Sequence, residues 1–167
     1  ETSSLFTELK GNDRAVLEKG NSETTPFVKV FKKRLFKDVT RETEIKHVHL
    51  ESNFDDFATE KLLPHRQSQH GPALSVADVN GDGLDDIFVG SSIGRQSSTL
   101  FLQAPNRKFT VPQAQPWKKY HTSEEIGSHF FDADGDGDLD LYVASGSTEK
   151  PLGDRSYQDR LYLNDGK

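Results

Sequence analysis

The sequence predicts an all-β fold built from repeated antiparallel units. Three observations support this prediction. Short runs of β-branched and aromatic residues, separated by turn-forming residues, recur along residues 71–167, and an aspartate-rich stretch occurs twice at a fixed spacing. Helical patterns are scarce, which is the third observation. The one candidate is residues 52–63, where Phe54, Phe57 and Leu62 would share a face.

The two aspartate-rich stretches are DVNGDGLDD at 78–86 and DADGDGDLD at 132–140, which align at a shift of 54 residues. The agreement continues upstream, with LSVA over SHFF, and downstream, with IFVG over LYVA. LFLQ at 100–103 matches LYLN at 161–164 at a shift of 61, which implies about seven extra residues in the second unit. Periods of this size are typical of stacked supersecondary units that cannot bury their apolar faces alone.

The predicted strands are four to seven residues long, too short for helices of normal length. In chain order they are LSVAD, DIFVG and TLFLQ in the first unit, and SHFFD, DLYVASG and RLYLN in the second. Residues 108–110 add a strand-like stretch to the first unit only. Three to four short strands per unit of about 40–60 residues is the proportion of a propeller blade. The sequence therefore predicts β-propeller-type blades.

These patterns divide the chain into three regions. Residues 1–70 form a divergent N-terminal region, in which 35–40 is a candidate last strand of a partial blade. Residues 71–124 are predicted to form the first aspartate-containing repeat, and 125–167 the second, truncated at its C-terminal end after a candidate hairpin turn at 164–166. Because the second unit lacks a returning strand and the chain does not begin with Met, we expect a fragment of a larger propeller.

Composition excludes several classes of protein. The net charge is −6, but four acids lie in the first aspartate-rich stretch and five in the second, so the rest of the chain is mildly basic. The sequence lacks the basic stripe interleaved with aromatics that is typical of nucleic-acid binding. It also has no apolar run that approaches the roughly 18 residues of a membrane span. Cysteine is absent, which excludes disulfides, thiolate metal sites and cysteine nucleophiles.

The aspartates alternate with glycines, a pattern that lets a short loop wrap around a hard cation. Calcium takes six to eight oxygen ligands, and glycine permits the positive φ angles of such a tight path. We therefore predict two calcium sites. The predicted ligands of the first are Asp78, Asn80, Asp82, the Leu84 carbonyl and Asp86; those of the second are Asp132, Asp134, Asp136, the Asp138 carbonyl and Asp140.

Three alternative kinds of loop fit these two stretches less well. An EF-hand or dockerin loop needs a long acid at its twelfth position, where this chain has Val89 and Val143, and helices where this chain has strands. A magnesium loop would have fewer protein ligands and retained water. An ion-free acidic turn is the third alternative. It is less favoured because the carboxylates of two such loops in register would repel one another strongly, and a divalent ion would relieve that repulsion.

The pattern strand–D-x-[DN]-G-D-G-x-x-D–strand, followed by a loop and L-[FY]-L-[NQ], resembles the FG-GAP/VCBS repeat family. The stretches that carry the resemblance are ALSVADVNGDGLDDIFVGSS and GSHFFDADGDGDLDLYVASG, and it covers residues 71–167 but little of 1–70. The resemblance implies calcium-stabilised blades of a β-propeller, as in integrin α-chain heads and many large exported bacterial proteins. Family members usually carry about seven blades. Two recognisable units leave open whether this propeller closes.

Two acid pairs are candidates for glycan cleavage: Glu124 with Glu125, near His121, and Asp55 with Asp56. Nothing in the sequence sets the separation of their carboxylates, and adjacent acids are usually solvated. An enzyme is therefore the less favoured interpretation.

The histidines and the tryptophan are weaker candidates for a site. His47 and His49 would share one face of a strand, with His65 and His70 further on, but no third ligand has convincing zinc spacing, so surface histidines are favoured. Trp117 is either a sugar-stacking platform or a core residue at the edge of a blade, and the core interpretation is favoured.

The sequence thus favours a non-catalytic, calcium-binding β-repeat module that scaffolds or recognises a glycan or protein. The alternative is part of a polysaccharide-active lyase or hydrolase with a calcium-stabilised propeller. Extracellular calcium modules often have Kd values on the order of 10⁻⁴–10⁻³ M, which favours an extracellular or cell-surface setting for an exported protein. The expected partners are calcium, a glycan or protein ligand, and the rest of a larger parent protein.

Overall fold

A computed structural model describes residues 36–94 and 96–166. Val39–Lys167 forms one compact unit of the chain, and it holds all of the sheet structure described below. None of the helices found in the described ranges has the length and apolar character needed to cross a membrane.

The first sheet is an antiparallel meander of four strands in the order β1-β2-β3-β4. The strands are β1 at Leu74–Ala77, β2 at Asp86–Val89, β3 at Thr99–Gln103 and β4 at Phe109–Thr110. Their sequences are rich in Leu, Val, Ile and Phe, which favour extended backbone. The predicted strands of the first unit are confirmed, including the short one at 108–110.

The second sheet contains three antiparallel strands in the order β5-β6-β7: β5 at Glu125–Phe131, β6 at Asp140–Ser145 and β7 at Arg160–Tyr162. Its register repeats that of the first sheet at the shifts read from the sequence. Ala77 faces Asp86 just as Phe131 faces Asp140, at a shift of 54. Phe101 and Tyr162, separated by 61, both lie opposite the first residue after these aspartates. Both predicted shifts are therefore confirmed.

Three predictions for the flanking segments are wrong or lack support. Only Asp56–Thr59 of residues 52–63 is helical, and Leu62 is 97% exposed, because the Asp56 carboxylate binds the backbone of 67–68 and bends the segment. Residues 36–39 have no strand structure and a short helix begins at Thr40, while Leu35 lies outside the described residues. No backbone-bonded turn forms at 164–166, where the Gly166 N–H instead donates to the Asn164 side chain at 3.3 Å.

The core lies between the two sheets and is centred on Trp117, which follows β4 in a 3₁₀-helix at Pro116–Tyr120. The indole meets Phe88 edge-on at a centroid distance of 5.2 Å and Tyr162 at 5.7 Å. Its Nε1 donates to Gln115 Oε1, which also accepts from the Leu100 backbone N–H of β3. The prediction of a core tryptophan is confirmed, because this ring joins the two sheets.

A buried ion pair stabilises the second sheet. Arg160 on β7 donates to the Glu125 carboxylate at 3.1 Å, and also to the hydroxyls of Ser123 and Ser145. Glu125 further accepts from the Ser98 hydroxyl, which belongs to the segment that precedes β3. Burial raises the pKa of Glu125, and its hydrogen bond to Ser98 and the charge of Arg160 partly offset that effect.

Candidate metal centre

The two aspartate loops join the first two strands of each sheet: residues 78–85 join β1 to β2, and 132–139 join β5 to β6. Each loop has two glycines with positive φ, 73° and 83° at Gly81 and Gly83, and 83° and 97° at Gly135 and Gly137. No atom lies within 4 Å of a Cβ added at any of the four. The glycines are therefore needed for backbone conformation, since side chains disfavour positive φ.

The last aspartate of each motif lies beneath its loop, fully buried, and binds backbone in the same way in both repeats. Asp86 accepts from the N–H groups of Val79 and Gln103. Asp140 accepts from those of Ala133 and Asn164, each at 2.8 Å. Asp86 thereby ties its loop to the end of β3, and Asp140 ties its loop to the residue two positions beyond β7. These bonds fix the loop ends and position the aspartates between them.

The first aspartate of each motif organises the turn from within. In the second loop, Asp132 accepts from the N–H groups of Gly135 at 2.7 Å and Gly137 at 3.1 Å. Asp134 and Asp136 each accept from the backbone N–H two residues further on. Side-chain oxygens thus take the backbone donors of the loop, and this folds the alternating acids towards one another.

The carboxylates of Asp132, Asp134 and Asp136 converge. One oxygen from each lies within 4.8 Å of the other two, and all three side chains are exposed. In the part of the chain that the structure describes, no other group of three His, Asp or Glu residues meets this criterion. Three hard oxygen donors at this separation can share one cation of calcium's size.

In this aspartate triad (Asp132, Asp134 and Asp136), the surroundings of Asp134 disfavour its charged form. The pKa of Asp134 lies above its ordinary value, because desolvation and the negative charges of Asp136 and Asp140 disfavour its carboxylate, while a hydrogen bond from the Asp136 N–H acts the other way. A divalent ion among these oxygens would remove the repulsion.

The first loop has the same framework but a weaker set of charges, because Asn80 occupies the position of Asp134. The Asn80 amide oxygen accepts from the Asp82 N–H, and its Nδ2 donates to the Asp82 carboxylate at 3.2 Å. Asp78 accepts from the N–H groups of Asp82 and Gly83. Two carboxylates and an amide therefore stand where the second loop has three carboxylates.

Of the ten predicted ligands, the structure brings three side chains together as a triad. Asp86 and Asp140 lie under their loops with hydrogen-bonded oxygens, and this backbone role was not foreseen from the sequence. The spacing D-x₇-D between paired strands is the signal that could have indicated it. Direct ligation by Asp78, Asn80, Asp82, Asp86 and Asp140, and by the carbonyls of Leu84 and Asp138, stays a prediction.

The paired loops, the repeated register and the shared aspartate bonds all indicate one structural repeat, and comparison with known families agrees. Residues 78–143 match the family model described as an FG-GAP-like repeat. The match begins at the first aspartate of the first loop and ends within β6, so it includes both loops. The FG-GAP-like repeat identifies the two antiparallel sheets as blades of the propeller type. No curated protein and no solved structure gives a significant match to the chain.

The acid pairs that the sequence offers for glycan cleavage are mostly buried. Glu124 is 3% exposed and Glu125 is 1% exposed. Asp56 is fully buried and accepts from the hydroxyls of Ser68 and Thr148, whereas Asp55 caps the short helix that follows it. The enzyme alternative stays a prediction.

The histidines of the N-terminal region do not converge on a metal position within the described residues. His49 bonds the Glu51 carboxylate at 2.7 Å, and the His47 ring meets Phe101 edge-on. The rings of His65 and His70 are 6.4 Å apart and also meet edge-on.

A cavity of about 340 Å³ lies between the two sheets, next to both aspartate loops. Trp117, Tyr162 and Leu141 form part of its mainly apolar wall, and Val79 and Leu139 of the two loops border it. The loop conformations therefore help to shape the cavity.

Proposed function

We propose that this chain is a non-catalytic, calcium-binding β-repeat module. The observation that carries the proposal is the convergence of three exposed carboxylates, Asp132, Asp134 and Asp136, on a loop whose ends are fixed by buried hydrogen bonds. Oxygen-only donors favour calcium over softer metals. Calcium also accepts the flexible geometry of a glycine-containing loop more readily than magnesium does.

The first loop is proposed as a second, weaker calcium site. Its framework of Asp78, Asn80, Asp82 and Asp86 follows that of the second loop almost bond for bond. Calcium affinity depends on the number of charged ligands. The amide of Asn80 in place of a carboxylate supports a lower affinity for this loop.

The proposed role of calcium is to stabilise blades that scaffold or recognise a glycan or protein. The inter-sheet cavity supports recognition of a ligand, because its wall includes aromatic side chains and residues of both aspartate loops. Exposed apolar side chains on β1, Leu74 at 62% and Val76 at 54%, support contact with further protein. Calcium is abundant outside cells, so an exported protein at the cell surface is the setting that we propose.

Thermal denaturation in millimolar calcium and in EDTA tests the proposal. An ion that binds only the folded loop stabilises by about 2.7 kcal/mol at a hundredfold excess over Kd, which we expect to raise Tm by about 5–10 °C. The variant Asp136→Asn should lose most of this rise. Asp85→Asn, which changes an exposed acid outside the proposed ligands, should keep it. A Tm that calcium leaves unchanged in the native protein would overturn the proposal.

A further inference from the structure

Three glutamates, Glu51, Glu124 and Glu149, form a second acidic group away from the aspartate loops. They come from three separate parts of the chain: the segment before β1, the residue before β5 and the segment after β6. Hydrogen bonds link these parts, since Gly146 N–H donates to the Glu124 carbonyl and the Ser52 hydroxyl donates to the Glu149 carboxylate. We call this group the glutamate cluster.

The side chain of Glu124 is almost completely buried, yet it lacks partners. It is 3% exposed, and among the described residues neither of its carboxylate oxygens has a hydrogen-bond donor. The Ser147 hydroxyl and the His70 N–H lie close enough to favour the charged form, but outside hydrogen-bond geometry. Glu51 Oε2 is likewise buried without a partner, although Glu51 Oε1 accepts from His49 and Gly71.

The neighbouring Glu125 shows how this fold treats a buried carboxylate that has a cation. Glu125 is equally buried but holds Arg160 at 3.1 Å and the Ser98 hydroxyl. The charges that act most strongly on Glu124 are instead both negative. Burial first, and then Glu51 and Glu149, raise its pKa to about 7. An isolated buried carboxylate costs several kcal/mol unless a positive charge compensates it.

We propose that the glutamate cluster holds a divalent cation of the calcium class, at a site separate from both aspartate loops. The unpartnered oxygens of Glu124 and Glu51 are the direct ligands, whose two negative charges balance the ion, and Glu149 adds a further negative charge nearby. The three carboxylates are not all within 4.8 Å of one another, since in the described part of the chain only the aspartate triad meets that criterion. Water and the Ser147 hydroxyl therefore complete the six to eight oxygens that calcium takes.

Such an ion would clamp the segment before β1 onto the second sheet. Glu51 lies in that segment, whereas Glu124 and Glu149 flank β5 and β6. The clamp differs from the aspartate loops, each of which takes all of its proposed ligands from one hairpin. It joins segments about 70 to 100 residues apart in sequence, where a cross-link restricts the unfolded chain most.

The test is the number of calcium ions bound per chain, measured by equilibrium dialysis at millimolar calcium with metal analysis. Glu124→Gln keeps the shape of the side chain and removes its charge, so we expect it to bind one ion fewer than the native protein. Asp136→Asn should lose the triad ion and keep the cluster ion, and the double variant should lose both. Glu60→Gln, at an exposed glutamate, is the matched control and should bind the native number.

Melting in calcium and in EDTA gives the second measurement. We expect Glu124→Gln to melt at or above the native Tm in EDTA, because a buried repulsion is removed, and to gain less from calcium than the native protein does. A native ion count together with a native calcium response in Glu124→Gln would overturn the proposal. If circular dichroism shows that this variant does not fold, Glu51→Gln is judged by the same two criteria. Because Asp136→Asn reports on the triad alone, failure at either site is recognised separately.

Discussion

The two repeats share a backbone framework and differ in where they place charge. In both, a buried aspartate joins the loop to the C-terminal end of the third strand or the residues just after it, through two backbone hydrogen bonds. The second repeat alone has a third carboxylate among the converging side chains of its loop, and a buried arginine on its last strand. In the first repeat the equivalent positions are Asn80 and Thr99. The comparison indicates that the shared aspartate sets the hairpin, whereas we expect the residues that differ to change ion affinity and sheet stability.

The largest expected difference between the repeats is at Arg160. Arg160→Ala leaves the buried carboxylate of Glu125 without its cation, and breaking a buried pair in this way costs about 3–5 kcal/mol. We expect urea denaturation to show that loss. The matched change in the first repeat, Thr99→Ala, removes a single hydrogen bond to the Ser97 carbonyl and should cost about 1 kcal/mol or less. Equal losses of unfolding free energy at the two positions would contradict the proposed difference between the repeats.

Removing the buried aspartate should lower the free energy of unfolding equally in the two repeats. Asp86→Ala and Asp140→Ala each remove a carboxylate that accepts two backbone hydrogen bonds, and we expect each to lower the free energy of unfolding by about 3 kcal/mol. The measurement is urea denaturation in EDTA, so that no ion contributes. Asp85→Ala, at an exposed acid, serves as the control. A loss below about 1 kcal/mol at either position would show that the framework is not shared.

Exchanging Asp and Asn at the equivalent positions 134 and 80 should change the calcium affinities of the two loops in opposite directions. We expect Asp134→Asn to weaken calcium binding by the second loop about tenfold, and Asn80→Asp to strengthen binding by the first loop by a similar factor, because affinity follows the ligand charge. Isothermal titration calorimetry measures both. An unchanged affinity in each variant would mean that the residue at this position is not a ligand.

The smallest effect is the pH dependence of the calcium-free protein. The pKa of Asp134 is raised in the folded state, so its protonation favours the folded state. This contribution to stability is complete below the ordinary aspartate pKa of 3.8 and is lost as pH rises through the raised pKa. In EDTA we therefore expect Asp134→Asn to melt slightly above the native protein at about pH 7 and at the same temperature at about pH 3. A lower Tm for the variant at neutral pH would contradict this sign.

Much of the repeat was predictable because its information is local. Strand identity follows from short apolar runs bounded by aspartate and glycine. The shifts of 54 and 61 fix which residues of the two repeats are equivalent, so the register of one sheet follows from that of the other. The triad was also predictable, since alternating positions in one tight loop bring Asp132 and Asp136 together whatever surrounds them.

The remainder depends on contacts between distant segments. The helix expected over 52–63 is cut short because Asp56 binds the backbone near Ser68 and the hydroxyl of Thr148, and nothing in the local pattern indicates those partners. The burial of Glu124 beside Glu51 could not be foreseen either. The sequence shows adjacent acids at 124–125, but only the fold sends one to Arg160 and the other to further glutamates.

The most direct test of the calcium proposal is anomalous diffraction from crystals grown in millimolar calcium. The account predicts a peak about 2.3–2.6 Å from the oxygens of Asp132, Asp134 and Asp136, the distance at which calcium binds oxygen. Ordinary water density between these three carboxylates under the same conditions, with no anomalous signal, would contradict it.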